Sequence, residues 1–325
     1  MNNIIKIFLI LITAAFLTTC NNYSIISEPL ALPTKINPPK IVFITIDGVR
    51  WQEIFNGTDP NLYSKHPLSP TEILPNIYYY FVNQGMAIGK NSQIIASGKN
   101  HISLPGYLEM MRGFPTTDCT TNLCEPELTT TLLDNYQNVT VISSWDTIKK
   151  STTNQPEKFN INSGRNYRTS KYLQLPIHDD QDFKGYVGHL DYRPDEFTMK
   201  STLDYLSKNK PEFLWVSLGD TDEYAHNGEY NKYISALKKA DYFIGEIIQE
   251  YDENTVFIVT TDHGRSKDWT SHGYDPDSAR VWLMMYGKNI PTKQFVKFNQ
   301  IKSLSNLMPT ILKITHGINS EDSLI

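Results

Sequence analysis

Three apolar runs in this chain each end on an aspartate. Ile41–Ile46 leads into Asp47-Gly48, Phe213–Leu218 into Gly219-Asp220-Thr221-Asp222-Glu223-Tyr224-Ala225-His226, and Val256–Thr260 into Thr261-Asp262-His263-Gly264. A single Asp after a strand is ordinarily a turn former or a helix N-cap. Three carboxylates delivered to one crevice repel one another unless a cation sits among them. Two of the three runs also bring a His, and carboxylate oxygen with imidazole nitrogen suits zinc or a similar first-row ion. Asp-x3-His recurs at Asp268/His272, so no single pair identifies a site. The ordered set does. The nucleophile candidate is Ser103, in His101-Ile102-Ser103-Leu104-Pro105-Gly106-Tyr107, just before the helix-like run Tyr107–Met111. By default such a Ser is an N-cap. Beside a metal it has a second use, because the helix start offers N–H groups to an anion and the metal lowers the alcohol's pKa. The chain has no Gly-x-Ser-x-Gly elbow and no Walker loop, so plain serine-hydrolase and P-loop chemistry lack their motifs.

The elements that must position these residues are legible as short buried strands over Ile41–Ile46, Val139–Ser143, Phe213–Leu218, Val256–Thr260 and Val281–Tyr286. Helical stretches lie between them. Glu229–Tyr251 is the clearest, with Tyr230, Tyr233, Ile234, Leu237, Ile244, Ile247, Ile248 and Tyr251 on one stripe; Glu196–Lys208 and Lys302–Thr315 are shorter. Alternating strands and helices predict a three-layer α/β/α sandwich around a mostly parallel central sheet. Ligands of such folds bind beyond the carboxyl ends of the strands, where the three Asp fall. The 325 residues, 40% hydrophobic and 20% charged, exclude a collagenous, coiled-coil or wholly disordered chain. A net charge of -5 excludes broad electrostatic binding to nucleic acid or anionic lipid, so an anionic substrate needs local compensation.

Met1–Cys20 holds Lys6, an apolar run from Ile7 to Leu17 too short to span a bilayer, and Leu17-Thr18-Thr19-Cys20. It reads as an export signal. A Cys after Leu and two small residues resembles a bacterial lipoprotein cleavage site, with Thr where Gly, Ala or Ser is usual. The expected organisation is a signal over 1–20, a tether over 21–39, a catalytic domain over 40–318 and a tail over 319–325. The expected location is the periplasm or outer surface, with membrane contact only through a lipidated Cys20. In that oxidising setting Cys119 and Cys124 read as one local disulfide, since a metal-thiolate pair would want a second Cys/His pair nearby.

The ordered set resembles the alkaline phosphatase superfamily, nearest its type I phosphodiesterase/nucleotide pyrophosphatase branch and a group of bacterial members. The resemblance is carried by Ile46-Asp47-Gly48, Ser103-Leu104-Pro105, Asp222-x3-His226, Asp262-His263-Gly264, His272-Gly273-Tyr274 and Met308-Pro309-Thr310-Ile311-Leu312. It implies an alkaline-phosphatase-like fold and two divalent metal ions, zinc first, with Mn²⁺ or another first-row ion as alternatives. Asp222, His226 and His272 would hold one ion. Asp47, Asp262 and His263 would hold the other, together with the Ser103 oxygen. His316 competes with His272 but reads as the cap of a helix C-terminus. The implied chemistry is attack by Ser103, a phosphoserine intermediate and release by water, with Asn122 against the transferring oxygen; the plain alternative for Asn122 is a turn residue.

Departures from the family pattern narrow the expectation. Ser103 stands where the nucleotide phosphodiesterases carry Thr. Arg165 is the one candidate cation against the phosphate, and reads more simply as a solvated loop residue. The interval from Ser103 to Asp222 is too short for the second domain of metal-dependent phosphoglycerate mutases, and Ser103-Leu104-Pro105-Gly106-Tyr107 lacks the Arg of a sulfatase motif. The expected activity is hydrolysis of a small-molecule phosphate ester, diester before monoester, with no nucleic-acid surface. The alternatives are a phosphotransferase, mutase or sulfatase of the same superfamily, or a non-catalytic metal-holding lipoprotein, which would have no need of a hydroxyl at Ser103.

Overall fold

The computed structural model describes residues 37–165 and 183–325. The expected signal, Cys20 and the tether up to residue 36 lie outside the described residues. Eight strands form one sheet: β1 Lys40–Ile46, β2 Met86–Ile88, β3 Val139–Ser143, β4 Asn160–Ser163, β5 Phe213–Leu218, β6 Thr255–Thr260, β7 Leu283–Gly287 and β8 Gln294–Phe295. Their order is β4-β3-β5-β1-β6-β7-β2-β8, parallel throughout except at β7. The helices that matter for the site and its layers are α1 Ser103–Arg112, α2 Asp195–Leu206, α3 Asp220–His226, α4 Tyr230–Gln249 and α5 Leu307–His316.

Side chains alternate across a strand with period two, and β1 uses both faces. Ile41 and Phe43 join Leu104, Tyr107, Leu108 and Met111 of α1 and Leu307, Ile311 and Ile314 of α5. Val42, Ile44 and Ile46 join Leu206 of α2 and Leu237, Phe243, Ile244 and Ile247 of α4. The result is the expected α/β/α sandwich, with a core on each side of the sheet.

Register places the chemistry. Ile46 pairs with Leu218 and Thr45 with Thr260, so Asp47, Gly219 and Thr261 leave the sheet at nearly one level. Two expected boundaries shift. The last sheet strand begins at Leu283 rather than Val281, because the Val281 N–H is given to the Ile94 carbonyl instead of to the sheet. The expected helix over 302–315 begins only at Leu307. Lys302 and Ser303 pair with Ile94 and Ile95, and the Asn306 Oδ1 accepts the Ser303 N–H at 2.8 Å, closing a 3-10 turn over Leu304–Asn306. Cys119 and Cys124 form a disulfide, with Cα atoms 5.7 Å apart.

Candidate metal centre and nucleophile

Ser103 is the first residue of α1, but the N-cap is Ile102. Its hydroxyl therefore does not cap the helix. Oγ lies 3.4 Å from Asp47 Oδ1 and 3.4 Å from His263 Nε2. Gly106 lets the helix come this close, since any Cβ there would overlap the Asp262 backbone. The Asp47 carboxylate is oriented from behind. Tyr107 Oη donates to its Oδ2 at 3.0 Å and Tyr192 Oη at 3.4 Å, which leaves Oδ1 facing Ser103.

His263 is fully buried, and its Nδ1 gives a proton to the Gly264 carbonyl at 2.7 Å. Nε2 then faces Asp47 Oδ1 at 3.3 Å and Asp262 Oδ2 at 3.4 Å. A lone pair among carboxylate oxygens calls for a cation, and without one the ring takes up a second proton. Burial opposes that protonation, but Asp262 and Asp47 outweigh it and push the imidazolium up to about 9. Asp262 Oδ1 accepts the Gly48 N–H at 3.1 Å, while Oδ2 is buried with no hydrogen-bond partner among the described residues.

On the other wall, Asp222 and His226 share one face of α3, with Oδ2 and Nε2 3.1 Å apart. His272 Nε2 approaches His226 Nε2 to 3.0 Å and Asp222 Oδ1 to 3.7 Å. His272 Nδ1 lies 3.3 Å from the His101 carbonyl, which fixes the proton there and turns the Nε2 lone pair toward His226. Two imidazole nitrogens and a carboxylate meeting in this way fit a divalent cation. Asp222, His226 and His272 can bring one ligand atom each within 4.8 Å of one another, and so can Asp47, Asp222 and His263. Asp222 thus belongs to both groups, whereas the sequence places it in one. Burial raises the Asp222 carboxyl, but Arg265, His272 and His226 outweigh this and hold it well below the usual range. The two walls enclose a cleft of about 430 Å³ lined by Ser103, Asn122, Trp145, Glu223, His226 and His272.

Residues 170–318 match the family described as the metalloenzyme superfamily. A phosphopentomutase of Clostridium kluyveri is 37% identical over 114 residues, which cover 35% of this chain and 28% of that protein. The chain therefore spans less than a third of that relative's length. A solved structure of an alkaline phosphatase superfamily protein from Vibrio parahaemolyticus superposes with a TM-score of 0.55 at 16% identity, over 89% of this chain and 71% of that one. A phosphonate monoester hydrolase from Silicibacter pomeroyi gives 0.54 at 12% identity, over 85% and 73%. The chain has an alkaline-phosphatase-like α/β fold.

On this scaffold Asn122 and Arg165 make contacts that the sequence does not imply. The Leu104 N–H is not free for an anion, because Asn122 Oδ1 accepts it at 3.0 Å; Asn122 itself lines the cleft. Arg165 is a half-buried loop residue with partners of its own. Its Nε donates to the Tyr192 carbonyl at 2.6 Å and its guanidinium covers the Phe183 ring. His316 lies where expected, at the end of α5, beside Tyr136 in a cavity with Lys40 and Glu212 at the opposite end of the strands. Tyr107, Tyr192, Glu223 and Arg265 were not singled out from the sequence. Glu223 faces the cleft, and burial together with Asp222 pushes its carboxyl up to about 8. Arg265 directly follows Asp262-His263-Gly264, a position that could have drawn attention to it.

Proposed function

We propose that the protein is an exported metal-dependent phosphoesterase with Ser103 as its nucleophile and a phosphodiester as its preferred substrate. The observation that carries this is the placement of Ser103 Oγ, 3.4 Å from ligand atoms of both Asp47 and His263, opposite the Asp222, His226 and His272 wall. Asp47, Asp262 and His263 would hold one divalent ion with the Ser103 oxygen, and Asp222, His226 and His272 the other. Bound there, two such ions lower the pKa of the hydroxyl and neutralise the anionic ester. Ser103 Oγ forms a bond to phosphorus as the ester bond to the departing alcohol breaks, and the alcohol leaves with a proton. Asn122 Nδ2 donates to a non-bridging oxygen, while Tyr107 and Tyr192 hold Asp47 in place. Water then breaks the Oγ–P bond and returns the hydroxyl. A diester is favoured because Arg165 and Arg265 are both engaged elsewhere, and a singly charged ester needs less compensation. The test is turnover by Zn²⁺-loaded protein on aryl phosphate diesters, aryl phosphate monoesters and aryl sulfates. Diesters should be the best substrates, and turnover confined to the sulfates would overturn the reading.

The similarity to phosphopentomutases favours a second reading, phosphoryl transfer to an acceptor other than water. Isomerisation of a pentose phosphate without release of inorganic phosphate would establish it.

Three smaller predictions arise here. Tyr107→Phe removes the 3.0 Å donor to Asp47 and should weaken metal retention or turnover about 10-fold, measured by zinc titration and steady-state kinetics. Asn122→Ala should lower kcat about 100-fold with metal content unchanged. Removing the disulfide by Cys119→Ser with Cys124→Ser frees the loop that carries Asn122 and should cost about 2 kcal/mol of stability in denaturant melts.

A further inference from the structure

Arg265 has a fully buried side chain whose guanidinium is divided among several partners. Nη1 donates to Asp222 Oδ1, Nη2 to the Thr270 carbonyl at 2.8 Å and Nε to the Trp269 carbonyl, while Nη2 also comes within 3.5 Å of His226 Nδ1. Room for this pair is made by Gly48, at φ +61, where a Cβ would overlap both Asp222 Oδ1 and Arg265 Nη1. The other carboxylates are treated differently. Asp47 is held by two neutral phenols and Asp262 by a backbone N–H. Among the described residues, no Lys or Arg forms an ion pair with either.

The two ligand sets therefore differ in charge before any ion arrives. Asp222 with the permanent charge of Arg265 sums to zero, whereas Asp47 and Asp262 face only the His263 imidazole, whose second proton an arriving ion displaces. A divalent cation entering the first set meets a carboxylate already compensated and a permanent like charge touching its ligand. Entering the Asp47, Asp262 and His263 set, it meets no permanent cation on Asp47 or Asp262 among the described residues. We propose that Arg265 is a resident counter-cation, which compensates the Asp222 carboxylate whenever the Asp222, His226 and His272 site is empty and so makes the ion there the exchangeable one of the two. This rests on the reading that those three residues hold an ion.

The sign of one measurement separates this role from simple positioning. A guanidinium that only orients Asp222 and the Trp269–Thr270 turn would, when removed, weaken metal binding. A counter-cation, when removed, leaves Asp222 buried and unpaired, so the metal-free protein suffers and the ion binds more tightly. The experiment compares full-length wild type and Arg265→Met, stripped by chelator and titrated with Zn²⁺ against a chromophoric competitor, with thermal melts in both states. The metal-free Tm should fall by about 5 °C or more, the Zn²⁺-loaded Tm by clearly less, and the weaker of the two Kd values should tighten at least about tenfold. If the variant does not fold without metal, Arg265→Met combined with Asp222→Asn should fold, because the charge needing compensation is gone. Equal or weaker Zn²⁺ binding by Arg265→Met, with both Tm values falling together, would overturn the proposal, as would failure of the double variant to fold. If His226→Ala in the wild-type background keeps both zinc equivalents, the underlying assignment of the site is wrong instead.

Discussion

Ser103→Ala should remove phosphoester turnover by at least about 10³-fold while the fold and at least one bound metal remain. The side chain is buried but small, and its hydroxyl makes no cap bond to its own helix, so deleting it disturbs no secondary structure. What disappears is the only hydroxyl oxygen placed 3.4 Å from both Asp47 Oδ1 and His263 Nε2 among the described residues. Unassisted, a serine hydroxyl is almost never ionised near neutral pH, and the neighbouring His263 Nε2 is shared with the Asp47 and Asp262 carboxylates. Ser103→Thr should keep part of the activity, because the hydroxyl survives and one methyl is added. Steady-state kinetics on an aryl phosphodiester, with metal content measured on the same samples, checks this. Turnover by the Ala variant within a few-fold of wild type would mean that attack comes directly from water, and the phosphoserine mechanism would be wrong.

Replacing Asp222 and His226 together by Ala should take the protein from two zinc equivalents to one or fewer after gentle dialysis. The sharper expectation concerns the single variants. Asp222 can reach both ligand groups, whereas His226 reaches one. Asp222→Ala should therefore cost more bound metal than His226→Ala, and it should perturb the ion beside Ser103 as well. Elemental analysis of the three variants decides this. Equal losses from the two single variants would confine Asp222 to the His226 side, and an unchanged single equivalent in the double variant would end the two-ion reading.

Much of the sheet centre was determined by the sequence itself. β1, β5 and β6 are continuous runs of branched and aromatic residues, and only burial on both faces of a parallel sheet accommodates such runs. The helices between them forbid hairpins and so dictate parallel pairing. Asp47, Asp222 and Asp262 follow those runs closely, so strand direction alone sends them toward one edge. The short strands β2, β4 and β8 were not legible in the same way, nor was the reversed direction of β7, which the sequence marks only as a strand. Two to four residues carry too little periodicity to reveal β2, β4 and β8, and the pairing of β2 with β7 and β8 joins residues more than 100 apart.

The site divides along the same line. Residue types and local spacing set which way a side chain points, as with Asp222 and His226 four apart on α3. They say nothing of distances between elements. That Asp222 stands between both ligand groups follows from the level registry of β1 and β5, which brings Gly48 against it. That Tyr107 and Tyr192 converge on one Asp47 oxygen depends on a helix and a loop meeting across Trp145. Asn122 meets Leu104 only because the disulfide loop folds back over the start of α1, and Arg265 finds Asp222 only because Gly48 leaves room for the pair. Local covalent geometry determines the direction of each side chain, but contacts between residues distant in sequence are set by the packing of whole layers, and that only the tertiary structure decides.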